Sequence, residues 1–177
     1  MKRFVLLLIL VPLGFTVMGQ KIIVDKVDAF TKAHIIETSM EKIVQKRQKF
    51  TGEISARIEI AVRSVDGNIV LPCNIYKTPM SKYDENSGLM ILFENGDTAN
   101  LKTLYTGVGG DSWKNGYWKN NWFKTVLEVD KKDLDNLSDQ KITIIRLNYF
   151  GASQDFQIKG KESEMIKNMM KLVMPND

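Results

Sequence analysis

Reactive residues are scarce in this chain of 177 residues, which has one cysteine, one histidine and four prolines. With Cys73 alone no internal disulfide can form, so stability must come from packing. One histidine and one cysteine cannot build a zinc tetrad, and neither a metal nor a cofactor is expected. No second apolar run follows the first twenty residues, so no span is expected beyond them. Internal repeats and low-complexity tracts are also missing. Charge of one sign is not in excess: beyond the leader, 23 basic residues face 21 acidic ones, a net charge near +2. That balance provides no basic stripe for a nucleic-acid partner.

What is present begins with a leader. Lys2 and Arg3 form a positive n-region, Phe4 to Val11 is an unbroken apolar run, and Leu13 to Met18 continues it past Pro12. Val17-Met18-Gly19 suits a signal peptidase, which places a signal peptide at 1–19 and cleavage before Gln20. An uncleaved anchor is the rival reading. It needs about 20 apolar residues, and Pro12 and Gly14 interrupt the stretch. No cysteine follows the run to carry a lipid. Residues 20–177 then have the length of one β-rich domain with a full core.

In that remainder the pattern turns to alternation. Ile22 to Val27 reads as a short strand and Ala33 to Thr38 as a second. Met40 to Gln48 reads as a linker or a single helical turn, since Met40, Ile43, Val44 and Arg47 fit a helical face. Ile54, Ala56, Ile58, Ile60 and Val62 then alternate with Ser55, Arg57, Glu59, Ala61 and Arg63, the period of a half-buried strand. Asp66-Gly67 suits a tight hairpin turn, and Ile69, Leu71, Cys73 and Ile75 line one face of the returning strand. Leu89 to Glu94, Asn95-Gly96 and Thr98 to Leu104 repeat that logic. Phe123 to Val129 is a further strand, and Asp130 caps a short helix to Leu137. Ile142 to Asn148 and Phe156 to Lys159 complete the strands. A closing helix from about Lys161 carries the stripe Met165, Ile166, Met169, Met170 and Val173, ended by Pro175. The expected fold is α+β, a twisted, mainly antiparallel sheet of hairpins with the C-terminal amphipathic helix packed on it. A β-sandwich with a peripheral helix is the alternative.

Catalytic constellations are incomplete. Cys73 lies in an apolar strand, where a buried thiol is the ordinary reading and a nucleophile paired with His34 the sharper one. Serine chemistry would need His34 as its base, and no serine stands in a glycine-flanked elbow. Asp25 with Asp28, or Asp84 with Glu85, could offer oxygens to calcium but lack the loop grammar of such a site. Gly107-Val108-Gly109-Gly110 has no lysine or helix behind it to cradle phosphate. The Met-rich closing helix reads as core rather than as a partner groove.

One segment stands apart. Trp113, Trp118 and Trp122 are all the tryptophans of the protein, and Tyr117 and Phe123 lie among them. Lys114, Lys119 and Lys124 and the amides Asn115, Asn120 and Asn121 are interleaved. Flat aromatic faces beside amides suit a sugar ring, or a protein partner whose binding rests on aromatic anchors. The ligand-binding residues expected are therefore Trp113, Tyr117, Trp118, Asn120 and Trp122. The bland alternative is a loop that packs its indoles into a small core of its own. Self-association through the loop is a third reading.

Gly19-Gln20 ending the leader, Asp28-x-Phe30-Thr31 leading to Thr38, and Asp133-Leu134-x-x-Leu137 before Ile142 to Leu147 together resemble small exported proteins of unknown function from Bacteroidetes-type bacteria. The resemblance implies a periplasmic or cell-surface location and brings no catalytic residue. The function expected is a non-catalytic binding or interaction domain of the cell envelope, recognising glycan or protein through the aromatic loop. An envelope hydrolase with an unrecognised site is the rival.

Overall fold

A computed structural model describes residues 20–78, 86–109, 122–149 and 151–174. The leader, Asp84-Glu85, Pro175 and most of the aromatic segment fall outside them. The strands are β1 (Ile22–Val27), β2 (His34–Thr38), β3 (Glu41–Arg47), β4 (Ile54–Ile60), β5 (Arg63–Val65), β6 (Asn68–Lys77), β7 (Gly88–Phe93), β8 (Thr98–Gly109), β9 (Trp122–Glu128), β10 (Ile142–Tyr149) and β11 (Ala152–Gln157). Helix α1 (Lys131–Asp139) lies between β9 and β10, and α2 (Gly160–Val173) closes the described chain.

All strands join one open antiparallel sheet in the order β1-β2-β5-β6-β9-β8-β7-β10-β11, with β4 beside β6 and β3 beside β4. This is the expected α+β arrangement, and one sheet replaces the sandwich alternative. Alternation decides which side of each strand is buried. Ile58 and Ile60, Ile75, Phe123 and Leu127, Leu89 and Ile91, and Ile145 and Leu147 turn to one face, where α2 supplies Ile166, Met169, Met170 and Val173. Helix α2 touches β2 and β3 and also β10. Six strand spacings separate β2 from β10, roughly 29 Å if the sheet were flat. A helix of this length spans about 21 Å, so the sheet curls around it.

The turns follow their residues. Asp66 and Gly67 both have positive φ, 49° and 80°, as the tight hairpin turn requires. The long strand expected from Ile54 to Arg63 breaks at Ala61-Val62. There the Ala61 amide donates to the Pro72 carbonyl at 2.9 Å, and the Val62 amide donates to Thr38 Oγ1 at 3.0 Å. A residue's N–H and C=O leave a strand on the same side. Pro72 therefore lacks its donor where β6 passes from pairing with β5 to pairing with β4, which lets a proline sit inside the sheet.

Three expectations are corrected. Met40 to Gln48 is neither linker nor helical turn: β3 pairs with β4 from Glu41 to Arg47, with register shifts at Lys42/Val44 and Lys46/Arg47. The first shift buries the neighbours Ile43 and Val44 together, which breaks the period-2 signal and imitates a helical face. Asp130 occupies the N-cap of α1, but its side chain makes no capping bond and lies 3.6 Å from Lys132 Nζ. The last strand starts at Ala152 rather than at Phe156 and stops at Gln157.

Candidate functional site

Of the residues expected to bind ligand, Trp113, Tyr117, Trp118 and Asn120 lie outside the described residues, and Trp122 opens β9. The pleat divides this end of the aromatic segment. Phe123, Thr125 and Leu127 turn to the core, Phe123 being buried, so Phe123 belongs to packing rather than to the aromatic surface. Trp122, Lys124 and Val126 turn to the opposite face, which no described helix covers.

The register surrounds Trp122 with a mixed set of groups. Tyr76 on β6 is its cross-strand partner, and the two rings are 5.4 Å apart at 43°. Arg57, opposite Tyr76 on β4, holds its guanidinium 5.7 Å from the Trp122 ring centroid, a cation–π contact. Arg57 is in turn paired with Glu59, which accepts from Asn74 Nδ2 at 3.1 Å. Arg57 Nε is buried without an acceptor. On the other side of β9, Gly109 and Gly107 of β8 stand opposite Trp122 and Lys124. Farther along, Val126 faces Tyr105, which is two-thirds exposed. Four strand residues separate Trp122 from Val126, roughly 13 Å. Trp122, Lys124 and Val126 of β9 thus share one sheet face with Asn74 and Tyr76 of β6 and Tyr105 of β8.

Sequence reasoning found Trp122 because tryptophans cluster in this chain. It missed Arg57, Glu59, Asn74 and Tyr76. Their signal was the polar half of the alternation in β4 and β6, which reads as solvated surface until the strand order places it beside Trp122.

The other candidates are not assembled into a reaction centre. His34 Nε2 lies 2.7 Å from Asp25 Oδ1 on the exposed face of the β1–β2 hairpin. No hydroxyl or thiol bonds to that ring among the described residues. Cys73 is buried against the Leu71 carbonyl, and desolvation pushes its thiol far above the ordinary cysteine range, so it is inert as a nucleophile. Asp28 spends its carboxylate on a turn, accepting from the Thr31 amide at 2.7 Å, the Thr31 hydroxyl at 2.9 Å and the Phe30 amide at 3.0 Å. Among the described residues no three metal-binding side chains converge, and no helix is long and apolar enough to cross a membrane. Gly107 to Gly109 are strand residues rather than a phosphate loop. Comparison with family models, with curated proteins and with solved structures yields no match.

Proposed function

We propose that this protein is a non-catalytic binding domain of the bacterial cell envelope, exported to the periplasm or cell surface, that recognises glycan on the sheet face around Trp122. The observation that carries this reading is the mounting of Trp122. Tyr76 and Arg57 hold the indole on a strand, with Lys124 two residues along on the same face. A pyranose needs such a surface: an aromatic plane for its C–H face, with amide and ammonium donors within a sugar's length for its hydroxyls. Sites on strands are positioned more precisely than sites on loops. Trp113, Tyr117, Trp118 and Asn120, in the segment between β8 and β9, belong to the same proposal. A protein partner is the competing outcome.

The test is a panel of cell-wall glycans titrated against the exported protein, read by tryptophan emission and calorimetry. Trp122→Ala should weaken the best ligand about thirtyfold, the scale of a binding hot spot. A variant that binds every glycan as the parent does would remove the site. If Trp122→Ala abolishes capture of an envelope protein while no glycan binds at all, the surface is a protein contact instead.

A further inference from the structure

The hairpin of β3 and β4 ends in a feature that the glycan reading does not use. Its loop is tightly bonded. The Gln48 amide donates to the Glu53 carbonyl at 2.8 Å, and the Gly52 amide to the Gln48 carbonyl at 3.1 Å. Gly52 has φ +71°, which glycine adopts freely. Arg47 Nη1 donates to the Gly52 carbonyl at 2.8 Å, and Thr51 Oγ1 to Gln48 Oε1 at 3.1 Å. At the apex of this structured loop Phe50 is fully exposed, at 101 %.

A single exposed ring is ordinary on a protein surface. The charge around this one is not. Lys42, Lys46, Arg47 and Lys49 share residues 42–53 with one acidic residue, Glu53. None of the four makes an ion pair among the described residues. Lys77 on β6 shares the Ala56 row with Lys46. Burial, and then the Lys46 charge, pushes its amine below the usual lysine range. Lys42 stands on the opposite face of the hairpin, in register with Glu59. Lys46 and Lys77 therefore share one side of the hairpin, with Arg47 and Lys49 next to its tip.

The other exposed phenylalanine tip supplies the contrast. Phe30, at the β1–β2 turn, is 95 % exposed. Around it Lys26 and Lys32 are balanced by Asp25, Asp28 and Asp66, and the carboxylates are already committed, Asp25 to His34, Asp28 to its own turn and Asp66 to the His34 amide.

We infer that the β3–β4 tip is a docking wedge for an anionic lipid surface, with Phe50 entering the headgroup boundary and Lys46, Arg47, Lys49 and Lys77 meeting lipid phosphates. A convex apex that carries an exposed ring and cations without ion pairs fits an extended anionic surface. A glycan or small-ligand site is concave. Apolar insertion together with basic residues is the combination that holds a peripheral protein to an acidic membrane.

The test uses the exported protein with the N-terminus the cell leaves on it. Its co-sedimentation with vesicles of phosphatidylcholine containing phosphatidylglycerol is compared with that on phosphatidylcholine alone. Binding is expected only to the anionic vesicles and should fall as salt shortens the range of the attraction. A basic residue close to such a surface contributes about fivefold. The pair Lys46→Glu and Lys49→Glu should therefore weaken binding at least about 25-fold. Phe50→Ser should weaken it roughly tenfold and Phe50→Trp should retain it, while Phe30→Ser leaves it unchanged. Equal binding to neutral vesicles, indifference to salt, or a Phe50→Ser protein that binds like its parent would each overturn the inference. So would retention on an acidic protein or glycan with no vesicle binding. The wild-type lipid and salt comparisons stand even if a tip variant fails to fold, and the Trp122 site can fail its own test without touching this one.

Discussion

The two faces of the sheet are built on different principles. On the covered face Ile58, Ile75, Leu89, Leu127 and Ile145 are wholly excluded from water and pack against α2. On the open face the strands carry polar pairs, two of them cross-strand and one within β4. Arg63 reaches Glu37 at 2.7 Å, Arg146 grips Asp155 through two bonds of 2.6 and 2.8 Å, and Arg57 joins Glu59 beside Trp122. The exposed pair Arg146–Asp155 contributes little to folding, whereas burial of apolar area dominates it. Stability is thus concentrated on one face, and the other is free to vary in chemistry without loss of the fold.

The largest test of that contrast is a pair of truncations. Met169→Ala empties a fully buried position of α2 and should cost about 2–5 kcal/mol in urea unfolding. Asp155→Asn removes the open-face partner of Arg146 and should cost less than about 1 kcal/mol. Comparable losses from the two would mean that the open face also carries the fold.

A smaller effect sharpens the covered side. Ser163 is fully buried in α2, and its Oγ accepts the Ile142 amide of β10 at 2.8 Å. This polar link ties the helix to the start of a strand. Ser163→Ala leaves that amide without its acceptor and should cost about 1–3 kcal/mol. Amide exchange at Ile142 should accelerate beyond the rise seen at Leu147. Equal acceleration at both would show global destabilisation rather than loss of this bond.

How far the residues disclosed this arrangement depends on the regularity of each strand. Ile69, Leu71, Cys73 and Ile75, and then Phe123, Thr125, Leu127 and Val129, alternate without interruption, and both sets are buried as their period requires. The stripe of α2 was equally plain, because Ile166, Met169, Met170 and Val173 follow a helical period. β3 was hidden by its two register shifts, and the break at Ala61-Val62 by an alternation that runs straight through it in sequence. The candidate site was legible only at Trp122. Arg57, Asn74 and Tyr76 reach it through the pairing of β4 with β6 and β6 with β9, and strand order is a long-range property that no local pattern encodes.

The smallest predicted effect separates carboxylates by their surroundings. On the exposed side, bonds from the Thr31 amide and then the Thr31 hydroxyl hold the Asp28 carboxyl below its usual range, and hydrogen bonding from Arg146 does the same for Asp155. Both bind a proton less readily folded than unfolded. Their stabilisation is present above the unfolded carboxylate pKa, about 3.9, and is lost as pH falls through the lower folded values. Asp133 in α1 is opposite in sign, since desolvation raises its pKa, partly offset by Lys132. Its folded state takes up the proton first, so its contribution is present below the unfolded pKa and lost as pH rises through the folded one. The melting temperature should therefore rise slightly as pH is lowered through mildly acidic values and then drop below about pH 4. Asp133→Asn should remove the rise and keep the drop, whereas Asp28→Ala should soften the drop and keep the rise. A Asp133→Asn profile that superimposes on the parent from pH 4 to 6 would show that burial of this one carboxylate has no effect on folding, and that the covered side tolerates a charge it was expected to resist.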